Sequence, residues 1–373
     1  MKYIPVSKPF FTQNCKDYMK SAIDKEEISG NFGEFIPKFE NKFSEFCGTK
    51  YAVSCSNGTT ALHLAILALG LGKNDEILVS TTTNMATFFA VDYVGAIAVP
   101  VDINPDTYTI DLKDLESKIT RKTKAIICVH LFGQLCDMNG LMRIANKNNL
   151  KVIEDCAEAH GAKYKNQSAG SFGDFGTFSF FSNKLLTCGE GGMVTTNSKT
   201  DAENLKNIKT LAFGKKNKFV HTKIGYNYRL SNVACALGYS QTIAAEKIIN
   251  GRIKVAEKYL ELLNHKNKYI KLPCQRKDFR NVYWMFHIEL QGPYKYKRSD
   301  IIRELLNFGI ETREGFYPYH LQSYHNRKYT EKECENATNV ANNTLYLPTF
   351  NKIEDLEIEY VTEKLLKILG DLN

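Results

Sequence analysis

From about residue 50, short β-branched apolar runs alternate with stretches in which apolar residues recur at helical spacing. That alternation predicts a largely parallel sheet covered by helices. The predicted strands are Tyr51–Cys55, Glu76–Ser80, Ala96–Asp102, Ala125–His130, Leu150–Asp155, Thr177–Phe181 and Met193–Asn197, about seven in all. Helices are expected between them over Thr59–Leu69, Met85–Tyr93 and Leu141–Asn148. Ahead of this block Phe39, Phe43 and Phe46 share one helical face and Gly48 ends the run, which predicts an amphipathic helix with its phenylalanines in the core. Beyond it, Asn232–Leu263 has no breaker but Gly238 and Gly251 and reads as one long or slightly broken helix leading away from the sheet. Val282–Leu290, Arg298–Asn307, Ile310–Arg313 and Ile353–Leu369 then suggest a small α/β lobe with a closing helix. The expected division is an N-terminal segment and large domain over residues 1–245 and a small domain over 246–373. The chain contains no repeat or low-complexity tract.

Composition narrows the class. Hydrophobic residues are 43% and charged residues 24% of 373 positions, and no run approaches the ~18 apolar residues of a spanning helix. Disorder and membrane insertion are therefore not expected. The opening Met1-Lys2-Tyr3-Ile4-Pro5 leads into a polar segment without the apolar run of a secretory signal, so a cytoplasmic chain is expected. Ten cysteines contain no Cys-x-x-Cys pair and sit mostly in apolar stretches, which reads as buried free thiols rather than zinc ligands or disulfides. The net charge of +8 is compatible with anionic substrates. Its basic clusters, Arg121–Lys124 and Lys215–Lys218, lack aromatic interleaving and read as solvated surface, so no nucleic-acid partner is expected.

Three segments carry chemistry. In Ser54-Cys55-Ser56-Asn57-Gly58-Thr59-Thr60 a strand ends in small polar residues where a helix begins. Exposed N–H groups there make a phosphate cradle, although the same residues serve as a plain N-cap. In Glu154-Asp155-Cys156-Ala157-Glu158-Ala159-His160, Asp155 closes an apolar strand at the end where open α/β sheets bind ligands. A carboxylate there could hold ribose, a metal or a protonated ring nitrogen, or merely cap the next turn. His160 has no partner at ligand spacing and reads as a packed histidine, and no metal site is expected. In Ser179-Phe180-Phe181-Ser182-Asn183-Lys184, followed by Gly189-Glu190-Gly191-Gly192, a lysine stands between an aromatic strand and a glycine-rich turn. Its apolar and small neighbours predict a sheltered amine, and a neutral amine is what condenses with an aldehyde.

These segments, in this order, resemble the DegT/DnrJ/EryC1/StrS aminotransferases, as do Ile28-Ser29 with Gly33, Gly225-Tyr226-Asn227-Tyr228-Arg229, Tyr317-Pro318-Tyr319-His320 and Leu347-Pro348-Thr349. The resemblance implies the fold-type I architecture of enzymes dependent on pyridoxal 5′-phosphate (PLP), a large domain with a mixed, mostly parallel sheet plus a small C-terminal α/β domain. It implies that Lys184 carries PLP and moves a proton, that Asp155 pairs with the pyridinium nitrogen, and that Glu158 faces the ring hydroxyl. Gly58, Thr59 and Ser179 would hold the phosphate, and Asn227 would reach the phosphate of a partner subunit, which requires a homodimer. Arg229 and His320 are substrate-contact candidates on the same grounds. The implied reaction moves an amino group from L-glutamate to the keto group of a 4-keto-6-deoxy nucleotide sugar, for surface polysaccharide. The wording around Asp155 and Lys184 looks most like that of family members acting at C4 of GDP-4-keto-6-deoxymannose.

The chain departs from the family pattern twice. Asn84, in Thr81-Thr82-Thr83-Asn84-Met85-Ala86-Thr87, stands where an aromatic usually stacks on the cofactor ring, and Glu314-Gly315 follows Arg313 where many members have proline. These departures motivate an alternative acceptor, a small phosphorylated ketone such as dihydroxyacetone phosphate. A dehydratase is disfavoured because such relatives replace the lysine by histidine. A non-catalytic regulatory protein of the same fold is disfavoured because Lys184, Asp155 and the cradle are all present.

Overall fold

The computed structural model describes residues 3–214, 216–263, 268–325 and 329–370, so Lys215 of the second basic cluster and the first two residues lie outside the described residues. Strands buried on both faces need apolar residues at consecutive positions rather than alternate ones. The central runs meet that demand: Ile126 and Cys128 join one apolar cluster, and Ala125 and Ile127, on the other face, join a second. The sheet has seven strands in the order Tyr51–Cys55, Gly192–Thr196, Phe175–Ser179, Lys151–Asp155, Thr123–Val129, Glu76–Ser80, Ile97–Val101. Neighbours from Phe175–Ser179 to Ile97–Val101 pair in parallel, whereas Gly192–Thr196 runs antiparallel to both of its neighbours. This is the expected α/β architecture.

The helix Phe35–Cys47 ends at Gly48, whose φ of 71° suits a residue without a side chain. Phe39 and Phe43 are fully buried and meet the sheet edge-on, Phe43 to Phe178 with centroids 4.8 Å apart and Phe39 to Phe180 at 5.1 Å. The long helical run breaks at Ala244 between Asn232–Ile243 and Ala245–Leu263, not at either glycine. Gly238 is instead a site of close approach, since a Cβ there would stand 2.6 Å from the Phe39 ring.

A second, antiparallel sheet of four strands has the order Ile270–Lys271, Phe286–Leu290, Thr344–Leu347, Arg313–Glu314, flanked by helices Arg298–Asn307 and Asp355–Ile368. Thr344–Leu347, a strand not foreseen from the sequence, lies inside this sheet. Ile4 bridges to Ile310 and the Val6 N–H reaches Glu311, so Ile4 and Val6 lie on this second lobe. All ten cysteines are free thiols, and nine are buried. Among the described residues no helix is long and apolar enough to cross a membrane.

Candidate active site

The reversed strand sets the chemistry. Because Gly192–Thr196 runs back beside Phe175–Ser179, the Phe180–Gly191 connection turns over at the carboxyl end of the sheet, where the parallel strand Lys151–Asp155 also ends. The turn is closed by Phe180 N–H on Gly191 O at 2.8 Å and Cys188 N–H on Phe180 O at 3.0 Å. Gly192 packs so tightly that a Cβ would stand 2.1 Å from the Asn57 carbonyl oxygen. Lys184, Asp155 and the Asn57–Thr60 helix start are thereby brought to one cavity of about 530 Å³, within the ~300–1,000 Å³ typical of small-molecule sites.

Each wall has a local cause. Helix Gly58–Ala68 is capped by Asn57, which accepts from Thr60 N–H at 2.9 Å, while the first-turn N–H groups of Gly58 and Thr59 have no acceptor within the helix. A Cβ at Gly58 would lie 2.7 Å from Ser179 Cβ, so glycine keeps this turn bare against Ser179. Asp155 is buried and accepts from Thr87 Oγ1 at 2.8 Å and Ala157 N–H at 3.1 Å, with Thr83 Oγ1 2.9 Å behind Thr87. Burial pushes the Asp155 carboxyl above its usual range, opposed by these hydrogen bonds and by Lys184. The preceding Glu154 is fully buried and accepts from His130 Nε2 at 3.0 Å and from the N–H groups of Gly170, Phe172 and Gly173 at 2.7–2.9 Å, which pins the floor beneath Asp155.

Lys184 Nζ lies 3.7 Å from Glu158 Oε1 and 4.2 Å from the centroid of the Trp284 ring. Glu158 Oε2 accepts from Phe132 N–H at 2.8 Å, and burial pushes its carboxyl up to about 7 against the pull of Lys184. Phe132 holds a left-handed φ of 56°, a strain of roughly 1–3 kcal/mol that aims its N–H at Glu158 and its carbonyl at Trp284 N–H, 3.1 Å away.

Gly58, Thr59, Asn84, Asp155, Ser179 and Lys184 all line the cavity, and Glu158 meets it through Lys184. Asn84 is exposed, and its Oδ1 accepts from Ala86 N–H at 3.0 Å. Asn227 is exposed, bridged to Thr210, and does not line the cavity. Arg229 is half-buried against Gly30 and also stands off it. His320 is buried, with Nδ1 2.9 Å from Thr81 Oγ1 and Nε2 2.9 Å from Thr338 Oγ1. His160 is buried among Phe43, Phe178 and Phe180, and burial lowers its pKa to about 3.

From the second lobe come Arg313 and Glu314, in the loop expected to shape the pocket, and Trp284, Phe316 and Tyr346, which sequence reasoning missed. The available signal was Trp284, the single tryptophan of the chain. In a strand-like run it reads as core.

The cavity suits a phosphorylated, cationic-ring aldehyde. Bare helical N–H groups and hydroxyls could receive an anion, a desolvated carboxylate offers a partner for a ring N–H, and a sheltered lysine lines the same cavity.

Known proteins resemble this chain over its full length. The model of the DegT/DnrJ/EryC1/StrS aminotransferase family matches residues 11–366. A GDP-perosamine synthase of Escherichia coli O157:H7 is 40% identical over 371 residues, covering 100% of both chains. A GDP-perosamine synthase of Caulobacter vibrioides is 37% identical over 366 residues, 98% of each. The crystal structure of an aminotransferase from Psychrobacter cryohalolentis matches over 100% of both chains with a TM-score of 0.93 at 29% identity.

Proposed function

This chain belongs to the DegT/DnrJ/EryC1/StrS aminotransferase family and is a PLP-dependent transaminase, and on that premise we propose its substrates and the work of its residues. It takes the amino group of L-glutamate and places it on the C4 keto group of a 4-keto-6-deoxy nucleotide sugar, GDP-4-keto-6-deoxymannose first among them. The observation that carries this reading is end-to-end similarity, at 37–40% identity, to two enzymes named for making GDP-perosamine. A small phosphorylated ketone is not favoured by that comparison. The amino sugar would serve polysaccharide biosynthesis in the cytoplasm.

PLP, when bound, supplies an aldehyde that exchanges amines and a ring that withdraws the electron pair left when a neighbouring bond breaks. The chain does the rest. The N–H groups of Gly58 and Thr59, with Ser179, would hold the phosphate at the bare helix start. Asp155, kept in place by Thr87 and Ala157, would pair with the ring nitrogen and favour its protonated form, an attraction strengthened by burial. Glu158, beside Lys184 Nζ, would face the ring hydroxyl. Lys184 Nζ would anchor the cofactor and, once freed by an incoming amine, would hold and move the proton of the donor's α-carbon. Asn84 lines the cavity where the family resemblance implies an aromatic. Arg313 and Glu314 face the acceptor sugar from the second lobe.

A homodimer completes the site in this reading. Phe219 is 79% and Ile224 78% exposed close to Asn227, and apolar residues so exposed in one segment call for cover by another chain. Asn227 would then reach the phosphate of the partner subunit's cofactor.

The test is a glutamate-dependent amination screen with PLP, following 2-oxoglutarate and offering GDP- and UDP-4-keto-6-deoxy sugars beside dihydroxyacetone phosphate. Turnover on the GDP sugar, lost in Lys184→Ala, is expected. Turnover on the small phosphate alone overturns the acceptor, and normal turnover by Lys184→Ala overturns the mechanism.

A further inference from the structure

Trp284 is held more firmly than packing alone requires. It is 3% exposed, its Nε1–H donates to Asn183 O at 2.9 Å, its N–H donates to Phe132 O at 3.1 Å, and its carbonyl accepts from the buried Arg252 at 2.7 Å. The indole lies parallel to the Phe316 ring, with an interplanar angle of 4° and centroids 6.4 Å apart. Tyr346 stands edge-on at 6.1 Å. The bond to Asn183 is telling, because Asn183 immediately precedes Lys184 and so ties the ring to the loop that carries the lysine. Against this fixed ring stands Lys184 Nζ, 4.2 Å from its centroid.

An ammonium sheltered to 11% exposure needs a counter-charge. The carboxylate within ion-pair distance is Glu158 at 3.7 Å, which burial leaves about half protonated near neutral pH. Its support is therefore partial and varies with pH. The face of an indole attracts a cation at any pH through its quadrupole, and among the aromatic side chains tryptophan does so best.

We propose that the ring face of Trp284 is the seat of the Lys184 ammonium while the lysine is detached from the cofactor, which makes Trp284 a positioning residue for proton transfer. The inference rests on the role given to Lys184 above. The Lys184 amine takes the proton of the donor's α C–H bond, and the electron pair of that bond is withdrawn into the bound cofactor. The ammonium so formed rests on the indole until it returns the same proton to the cofactor's reactive carbon. The seat joins the two lobes in one step, since the lysine comes from the large sheet and the ring from the second lobe.

Two measurements test this. In cofactor-free protein the emission of the single tryptophan reports on the seat directly. Lys184→Met is expected to change its maximum or yield and Lys184→Arg to stay near the parent; unchanged emission in Lys184→Met overturns the seat. In loaded protein, the glutamate half-reaction of Trp284→Leu is expected to slow by ~10-fold, the scale of a lost cation–π contact. Its α-deuterium isotope effect is expected to rise as proton removal becomes limiting, with Trp284→Phe in between. A slower Trp284→Leu with an unchanged isotope effect marks a merely distorted pocket and overturns the proposal. A parent enzyme that does not exchange with glutamate overturns the transaminase reading instead, and the emission result still decides the seat.

Discussion

Glu158 faces Lys184 across 3.7 Å, yet its other oxygen is bound to the Phe132 N–H at 2.8 Å, so the carboxyl is held by the backbone whether or not the lysine carries charge. Burial is the dominant influence, and it raises the carboxyl from an ordinary 4.5 to about 7. Between those values the folded chain binds more protons than the unfolded one, so stability falls as pH rises through that window. At about 1.4 kcal/mol per pH unit, the loss at pH 8 amounts to roughly 3 kcal/mol.

Glu158→Gln, which mimics the protonated form, is therefore expected to stabilise the cofactor-free protein at pH 8 by up to that amount and to leave it unchanged below pH 4.5. Denaturant unfolding at the two pH values measures the difference. A variant less stable than the parent at pH 8 would show that Glu158 gains more from Lys184 than it loses to burial.

Gly58→Ala places a Cβ 2.7 Å from Ser179 Cβ, well inside the ~3.5–4.0 Å optimum for carbon contacts. The first helical turn or the Ser179 strand end must shift, and the two sides of the proposed phosphate cradle move apart. PLP affinity is expected to fall by at least tenfold, about 1.4 kcal/mol. Alanine's better helix propensity, worth up to ~1 kcal/mol, keeps the cofactor-free protein folded. Equilibrium PLP binding measures the first effect. Gly58→Ala combined with Ser179→Gly, which removes the opposing Cβ, is expected to recover part of the affinity, and no recovery would remove close approach as the cause.

The sheet and the lysine were legible because each has a local signature. Consecutive apolar runs name buried strands, and Lys184 stands among apolar and small residues beside a glycine-rich turn that the Asn57 carbonyl makes necessary. Trp284, Phe316 and Tyr346 were not, because they reach the cavity from strands and loops of the second lobe, about a hundred residues or more from Lys184 in sequence. Thr83 and Thr87 support Asp155 from a helix start whose polar residues resemble any other cap. The position of His320 depends on Thr81 and Thr338, partners at separations of 239 and 18 residues, which no periodicity reveals.

Asn84 makes a backbone contact at the position where the family resemblance implies a ring face. Its Oδ1 accepts from Ala86 N–H at 3.0 Å, shaping the entry to the Ala86–Tyr93 helix, and it presents an exposed amide at the cavity mouth. Asn84→Tyr is expected to slow PLP loss on dialysis several-fold, since offset stacking contributes ~0.5–1.5 kcal/mol. The same change is expected to lower the stability of the cofactor-free protein by about 1 kcal/mol through the lost hydrogen bond. Opposite signs in the two states separate stacking from a general change in packing. Equal cofactor retention would mean that the mouth does not reach the ring.

His320 was a candidate for substrate contact, and its surroundings predict a different phenotype. The Thr338 hydroxyl donates to the Cys334 carbonyl at 3.1 Å, so it accepts from His320 Nε2–H, which leaves Nδ1 to accept from Thr81 Oγ1. Burial lowers the imidazole from 6.5 to about 4 and keeps it neutral at physiological pH. The folded chain thus binds fewer protons here than the unfolded one between pH 4 and 6.5, so the ring's contribution is complete above 6.5 and fades as pH falls to about 4. His320→Phe leaves Thr81 without its acceptor and is expected to destabilise the protein by ~1–3 kcal/mol at pH 8. The gap from the parent should narrow as pH falls through that window, while the KM for glutamate and for the sugar stays within about twofold, because an interaction confined to the folded scaffold contributes nothing to substrate binding. Paired unfolding curves and steady-state kinetics on the refolded fraction measure both. A large rise in sugar KM at unchanged stability would return His320 to the substrate site.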